Sequence, residues 1–141
     1  MQAQMQAPAI AVGTISNGAI WTGRVLSGLA IVFLLFDGAI KLVPLDIVIT
    51  TSQQLGIPVE FARTLGVLTL VCTILYAIPR TSVLGAILLT GYMGGAIYTH
   101  LRAGSPLFTH TLFGAYLAVL IWGGLYLRDE RVRALIPFQR T

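Results

Sequence analysis

The chain has 141 residues, of which 56% are hydrophobic and only 10% are charged, and its formal net charge is +4. Soluble globular domains carry about 25% charged residues, so this chain lacks the polar side chains needed to cover a soluble surface. The composition excludes a soluble enzyme and a disordered chain. A nucleic-acid-binding protein is excluded as well, because the basic residues are scattered or stand between apolar runs. The length suits one compact domain of a few helices.

The first 18 residues are rich in Gln and Ala and contain no basic segment. They therefore predict a flexible N-terminal tail over residues 1–18 rather than a cleaved signal peptide. The single cysteine, Cys72, lies in the middle of an apolar run. One cysteine permits neither an intrachain disulfide nor a cysteine-based zinc site.

Four apolar segments are each long enough to cross a membrane as a helix, which takes about 20 mostly apolar residues. They cover residues 20–43, 59–78, 81–101 and 108–127. Proline and glycine residues separate the segments, as is typical of places where helices end and turns begin. The short connections at residues 79–80 and 103–106 require antiparallel neighbours. The sequence thus predicts an all-α, integral membrane, antiparallel four-helix bundle over residues 19–137.

The connection over residues 44–58 is longer than the other two. It is apolar and contains a run of β-branched residues. This pattern fits a strand-like loop, and it fits equally a helix that lies at the membrane interface.

The basic residues predict the orientation of the bundle. In an up-and-down arrangement, one side carries six arginines: Arg24, Arg80, Arg128, Arg131, Arg133 and Arg140. The other side carries three basic residues: Lys41, Arg63 and Arg102. Because the cytoplasmic side of a membrane protein carries the excess of Lys and Arg, both termini are expected inside the cell. Residues 128–141 would then form a basic cytoplasmic tail.

Ionisable side chains gather at the opposite, outer end of the predicted bundle. Seven come from the four predicted helices: Asp37, Lys41, Glu60, Arg63, His100, Arg102 and His110. Asp37 and Lys41 are four residues apart, and Glu60 and Arg63 are three apart, so each pair shares one helix face. A charge within the hydrocarbon costs a few kcal/mol, so such groups face the bundle interior, a watery cavity or the headgroups. Tyr98 adds a hydroxyl at the same level.

This convergence predicts an outward-facing polar pocket for a small polar ligand or a quinone headgroup. His100 or His110 would serve there as a proton carrier or as a hydrogen-bond donor, because histidine titrates near neutral pH. The alternative is that these residues are helix-end ion pairs and interfacial side chains. No metal site is expected, because the spacing contains no HExxH or comparable signature and the three basic residues would repel a cation.

Gly91 and Gly95 form a GxxxG pattern in the third apolar segment. Such a pattern lets two membrane helices approach closely. It predicts close packing within the bundle or, as the alternative, the contact surface of a homodimer.

Several sequence blocks carry a family resemblance. The first is Phe36-Asp37-Gly38 with Lys41-Leu42, and the others cover residues 75–81, 84–92, 94–96, 99–102 and 122–129. Through these blocks the chain resembles the DoxX-like family of small bacterial membrane proteins over residues 24–137. The resemblance implies a four-helix protein of the bacterial inner membrane and carries over no catalytic set. The wider family is associated with oxidoreductase assemblies, including a quinone-linked thiosulfate-oxidising subunit, and distant relatives act as cargo receptors or assembly chaperones.

The resulting functional hypothesis is an accessory or ligand-binding subunit that holds a quinone or another small lipophilic ligand, or that anchors a redox partner. One alternative is a quinone-linked oxidoreductase subunit, in which Asp37 and His100 move protons while Lys41 and Arg102 bind an anionic substrate. Another is a membrane assembly chaperone or structural subunit. The expected partners are membrane lipids, a redox enzyme or another membrane protein, and a second copy of the chain.

Overall fold

The computed structural model describes residues 14–136 and is all-helical within them. The chain order is α1 (Asn17–Ile40), α2 (Asp46–Leu55), α3 (Phe61–Ala77), α4 (Ser82–Arg102), a π-helical turn (Leu107–Thr111), α5 (Phe113–Arg128) and α6 (Glu130–Leu135). Most of the predicted N-terminal tail, and residues 137–141 with Arg140, lie outside the described residues.

The four longer helices pack around one apolar core. Helix α1 contacts α3 and α5, and α4 also contacts both of these helices. Tyr76, Leu89 and Ile121 are fully buried between them. The bundle has two ends. The pocket end holds the last turns of α1 and α4, helix α2 and the π-helical turn, and the terminal end holds the start of α1, the end of α5 and helix α6.

Three segments are long and apolar enough to cross a membrane: Asn17–Ile40, Ser82–Arg102 and Leu107–Arg128. Helix α3 is also apolar but has only 17 residues. The outward faces of these helices carry large apolar side chains, such as Val32 at 69% exposed and Val119 at 70%. Surfaces of this kind suit contact with lipid rather than with water.

Glycines set the closest approaches between helices. A β-carbon on Gly23 would lie 2.7 Å from the Gly124 carbonyl oxygen, which marks the contact of α1 with α5. A β-carbon on Gly66 would lie 2.8 Å from the Gly38 carbonyl oxygen, where α1 meets α3. Only a residue without a side chain permits backbones to come this close.

The close packing predicted at Gly91 and Gly95 is not found. A β-carbon on either glycine would meet no other atom within 4 Å. The physical reason is that this face of α4 borders a cavity instead of a neighbouring helix.

A directional chain of hydrogen bonds joins three helices at the terminal end. Arg128 Nε donates to Ser27 Oγ at 3.1 Å, and the Ser27 and Tyr76 hydroxyls are 2.8 Å apart. Tyr76 then donates to the Ile121 carbonyl oxygen at 2.8 Å. Because a guanidinium has no acceptor and a carbonyl has no donor, the proton of each hydroxyl must point along this chain. The chain satisfies the fully buried Tyr76 hydroxyl and ties α1 and α3 to α5.

The long connection after α1 contains a helix, so the helical alternative for residues 44–58 is the one found. Val48 and Ser52 are buried and four residues apart, which places them on one face of α2. Gly56 ends the helix with a left-handed backbone (φ 67°), a conformation that favours glycine.

Within the predicted basic tail, residues Glu130–Leu135 form α6, and Val132 is 1% exposed against the bundle. Asp129 caps this helix and forms an ion pair with Arg131 at 2.9 Å. The hydrogen bonds and positive charge of Arg131 lower the pKa of Asp129. Arg131 also reaches the Pro79 carbonyl oxygen at 3.3 Å, so α6 is fixed to the connection between α3 and α4.

Candidate functional site

The main cavity lies at the pocket end and has a volume of about 670 Å³. It is lined by residues of α1, α2, α3 and α4 and by Ile57. Pockets for small ligands typically measure about 300–1,000 Å³ and are mostly apolar with a few placed polar groups. The apolar lining residues are Ile40, Ile47, Val48, Leu55, Ile57, Phe61, Ala62, Leu65, Gly91, Gly95 and Ala96. The polar lining residues are Asp37, Lys41, Thr51, Ser52, Thr64, Tyr92, Thr99 and His100.

Helix α2 supplies one wall of the main cavity through a single face. Ile47, Thr51 and Leu55 line the cavity at four-residue intervals, with Val48 and Ser52 beside them. This spacing follows the helical repeat, so the lining residues share one face of α2, on which Val48 and Ser52 are buried. The connection that sequence patterning leaves undecided is therefore part of the candidate site.

A polar cluster occupies the wall formed by α1 and α4. Lys41 Nζ lies 2.5 Å from Asp37 Oδ2 and donates to the Tyr92 hydroxyl at 3.2 Å. The Lys41 and Asp37 side chains are 24% and 27% exposed, so the pair is mostly but not fully buried. The i, i+4 spacing of Asp37 and Lys41 produces the ion pair, and helix packing brings Tyr92 to it.

The cluster keeps unused hydrogen-bonding capacity. An ammonium has three donors, of which Lys41 uses two within the described residues. Tyr92 accepts from Lys41, so its own hydroxyl proton remains available. Asp37 makes its bond through Oδ2, which leaves Oδ1 as an acceptor. With respect to the described residues, the cluster therefore keeps two unused donors and one unused carboxylate oxygen, and it has no net charge.

A side cavity of about 130 Å³ adjoins the main cavity. Both cavities are lined by Asp37, Lys41, Tyr92, Ala96 and His100, so they share a wall. His110 lines only the side cavity and is exposed. The His100 and His110 rings are 6.0 Å apart between centroids.

The remaining predicted site residues lie at the same end but line neither cavity. Glu60, Arg63 and Tyr98 are exposed. Arg102 donates to the Leu55 carbonyl oxygen at 3.2 Å and thereby holds the end of α2 against α4. Between residues 14 and 136, the ion pairs are Asp37–Lys41 and Asp129–Arg131, so Glu60 and Arg63 do not pair despite their spacing.

Tyr92 is the site residue that sequence reasoning missed. Its position carried one usable signal, since Tyr92, Ala96 and His100 recur at four-residue intervals and so share a face of α4. The GxxxG pattern predicts a helix contact at Gly91 and Gly95, yet both residues line the main cavity. In the part of the chain that the structure describes, no three His, Cys, Asp or Glu side chains are grouped to hold a metal ion.

The DoxX-like family model matches residues 25–124, which is well over half of the chain. The chain belongs to the DoxX-like family. This confirms the resemblance carried by the sequence blocks, and the matched range includes Asp37, Lys41, Tyr92 and His100. No curated protein and no solved structure matches the chain. Membership of the DoxX-like family and the three long apolar helices together indicate a membrane protein.

Proposed function

We propose that this DoxX-like protein binds a lipophilic molecule with an uncharged, oxygen-bearing headgroup, such as a quinone, in the main cavity. The observation that carries the proposal is the combination of a largely apolar space of about 670 Å³ with one polar cluster in its wall. The apolar residues would surround the body of the ligand. Lys41 and Tyr92 would donate to its oxygen atoms.

The charge of the cluster favours a neutral headgroup. The charges of Asp37 and Lys41 compensate each other, because the two groups are 2.5 Å apart. An anionic headgroup would be attracted by Lys41 but repelled by Asp37, and the reverse holds for a cationic headgroup. A carbonyl or hydroxyl oxygen, in contrast, can accept from the free donors of Lys41 and Tyr92 without separating the pair. Quinone carbonyls have this chemistry.

The α4 wall of the main cavity supports entry of the ligand from the membrane. Gly91 and Gly95 line the main cavity and are also exposed, so no side chain at these positions closes the gap. A lipophilic ligand that is dissolved in the bilayer would enter past these two glycines of α4.

We propose four membrane crossings, with α3 as the fourth. Its 17 residues span about 26 Å at about 1.5 Å per residue, slightly less than a hydrocarbon core of about 30 Å. Local thinning of the bilayer accommodates a difference of this size. The arginine excess at the terminal end supports an arrangement in the bacterial inner membrane with both termini in the cytoplasm. The pocket end would then face outward.

In this arrangement the protein is an accessory subunit that holds the ligand for a redox partner. This role rests on the ligand chemistry and on the oxidoreductase associations of the wider family. Reduction of the quinone by the purified protein supplied with an added two-electron donor, such as a dithiol, would instead favour the enzymatic alternative.

Gly95→Leu is expected to weaken binding of decylubiquinone by about tenfold or more, because the added side chain would fill part of the main cavity. Overpacking typically costs about 1–3 kcal/mol, and about 1.4 kcal/mol corresponds to a factor of ten. The binding is measured by calorimetry on protein in nanodiscs.

Gly94→Leu is the matched control for this measurement. Gly94 is adjacent in sequence and exposed, has no atom within 4 Å of an added β-carbon, and does not line the main cavity. Its affinity should stay within about twofold of the unmodified protein, well below the tenfold effect of a 1.4 kcal/mol loss. Equal affinities of the two variants would contradict the proposed binding site, and so would an absence of binding to the unmodified protein.

A further inference from the structure

We propose that the side cavity is a water-filled passage through which solvent and its protons reach the Asp37–Lys41 pair in the wall of the main cavity. The proposal deepens the proposed function, because it adds that the headgroup region of the ligand is open to proton exchange. The shared wall of the two cavities places the passage directly beside the polar cluster.

The size and lining of the side cavity suit water. Its volume of about 130 Å³ corresponds to roughly four water molecules at about 30 Å³ each. A buried water needs two to four polar partners, and the lining offers Asp37, Lys41, Tyr92 and His100 at the inner part. An apolar cavity of this size would stay dry.

The two histidines form the route from the surface to the pair. His110 is exposed on the π-helical turn and His100 is half-buried on α4. Each Nδ1 atom already has a hydroxyl partner, Ser105 at 3.1 Å for His100 and Thr109 at 2.8 Å for His110. Among the described residues neither Nε2 atom makes a hydrogen bond, so both remain available to water. An imidazole can accept a proton at one nitrogen and release one from the other near neutral pH.

The charged and titratable groups that face the passage come from three elements. Helix α1 contributes Asp37 and Lys41, α4 contributes Tyr92 and His100, and the π-helical turn contributes His110. Helix α5 contributes only apolar lining, so the fixed charges of the passage sum to zero when the histidines are neutral. Proton exchange along it involves no change in oxidation state.

Hydroxyl-radical footprinting of the ligand-free protein in nanodiscs tests the passage. Met93 is 5% exposed and lines the side cavity but not the main cavity. Water in the passage should therefore cause Met93 to be oxidised. Cys72 is 3% exposed in the core and lines neither cavity, so it reports on general opening of the bundle. The expected result is oxidation of Met93 with protection of Cys72.

Two variants at the mouth of the passage complete the test. His110→Phe gives the mouth an apolar ring, and apolar constrictions in membrane proteins exclude water. Oxidation of Met93 should fall several-fold in this variant and stay unchanged in His110→Gln, which keeps the mouth polar. Protection of Met93 in the unmodified protein would overturn the proposal, and so would oxidation that persists in His110→Phe. Since no ligand is present, either result is independent of whether the main cavity binds a quinone.

Discussion

Gly85→Ala is expected to lower the free energy of unfolding by about 3 kcal/mol, at the upper end of the range for overpacking. A β-carbon on Gly85 would lie 2.5 Å from Tyr76 Cα and 2.8 Å from the Leu75 carbonyl carbon. These atoms belong to the backbone of α3, which cannot rotate away as a flexible side chain can. The whole of α3 would have to move relative to α4.

Gly94→Ala provides the control on the same helix. A β-carbon there meets no atom within 4 Å, and alanine favours a helix over glycine by about 1 kcal/mol. This variant should therefore be as stable as the unmodified protein or slightly more stable. Steric trapping of the protein in bicelles measures the free energy of unfolding of each variant. Equal free energies of unfolding for the two variants would contradict the close approach of α3 to α4 at Gly85.

The position of Tyr76 extends the effect of Gly85→Ala beyond a local clash. Tyr76 follows Leu75 at this contact, and its hydroxyl joins Ser27 to the Ile121 carbonyl oxygen. A shift of α3 would break this buried chain and leave polar groups without partners. A buried unpaired group costs about 1–3 kcal/mol, so the clash and the chain act in the same direction.

Helix positions were predictable because apolar runs and helix-breaking residues are local signals. The predicted segment 81–101 compares with the observed Ser82–Arg102, and 59–78 compares with Phe61–Ala77. The first segment ends earlier than predicted, at Ile40 rather than residue 43. Pro44 disfavours helical backbone at the residue before it, and residues 41–44 form turns instead.

Helix α2 was undecided because its local preferences conflict with its packing. Ile47, Val48 and Ile49 are β-branched and favour extended backbone, whereas burial of Val48 and Ser52 against the bundle requires a helical repeat. Packing against the bundle outweighs the local preference for extended backbone. The strength of that packing cannot be read from the sequence alone. The π-helical turn before α5 was not predicted either, since nothing in the local sequence marks it.

The grouping of ionisable residues at one end followed from the up-and-down order of the apolar segments. The direction of each side chain did not follow from it. Glu60 lies in the turn before α3 rather than on a helix face with Arg63, and both residues are exposed, while Asp37 and Lys41 face the main cavity. Which face of a helix is turned inward depends on its rotation against its neighbours, and a charge pair carries little information about rotation. Tyr92 was missed for the same reason.

The Asp37–Lys41 pair is expected to matter for stability and for binding in separable ways. Asp37→Asn leaves the Lys41 ammonium without its carboxylate in a largely buried place. Removing one partner of a fully buried pair costs about 3–5 kcal/mol, whereas an exposed pair contributes at most about 1 kcal/mol. With about a quarter of each side chain exposed, the expected loss is about 1–2 kcal/mol. Lys41→Met should cause a loss of similar size.

The double variant Asp37→Asn/Lys41→Met should recover much of this stability, because it removes both charges together. The free energies of unfolding of the two single variants and the double variant form a cycle that measures the coupling between the two residues. Glu60→Gln with Arg63→Met is the matched control pair. These residues lie at the same end and have a similar spacing, but they are exposed and form no ion pair with each other, so their coupling should be close to zero.

Measurements of ligand affinity distinguish a role of Lys41 in ligand recognition from a purely structural role. Lys41→Met removes a donor that the proposed headgroup requires, and a hydrogen bond to a charged group contributes about 1.5–3 kcal/mol. The affinity for decylubiquinone should therefore fall by about tenfold or more, in the double variant as well as in Lys41→Met. Restored stability without restored affinity would distinguish a binding residue from a helix-end ion pair. A double variant that is stable and binds as tightly as the unmodified protein would reduce the pair to its structural role and contradict the assignment of Lys41 to the ligand.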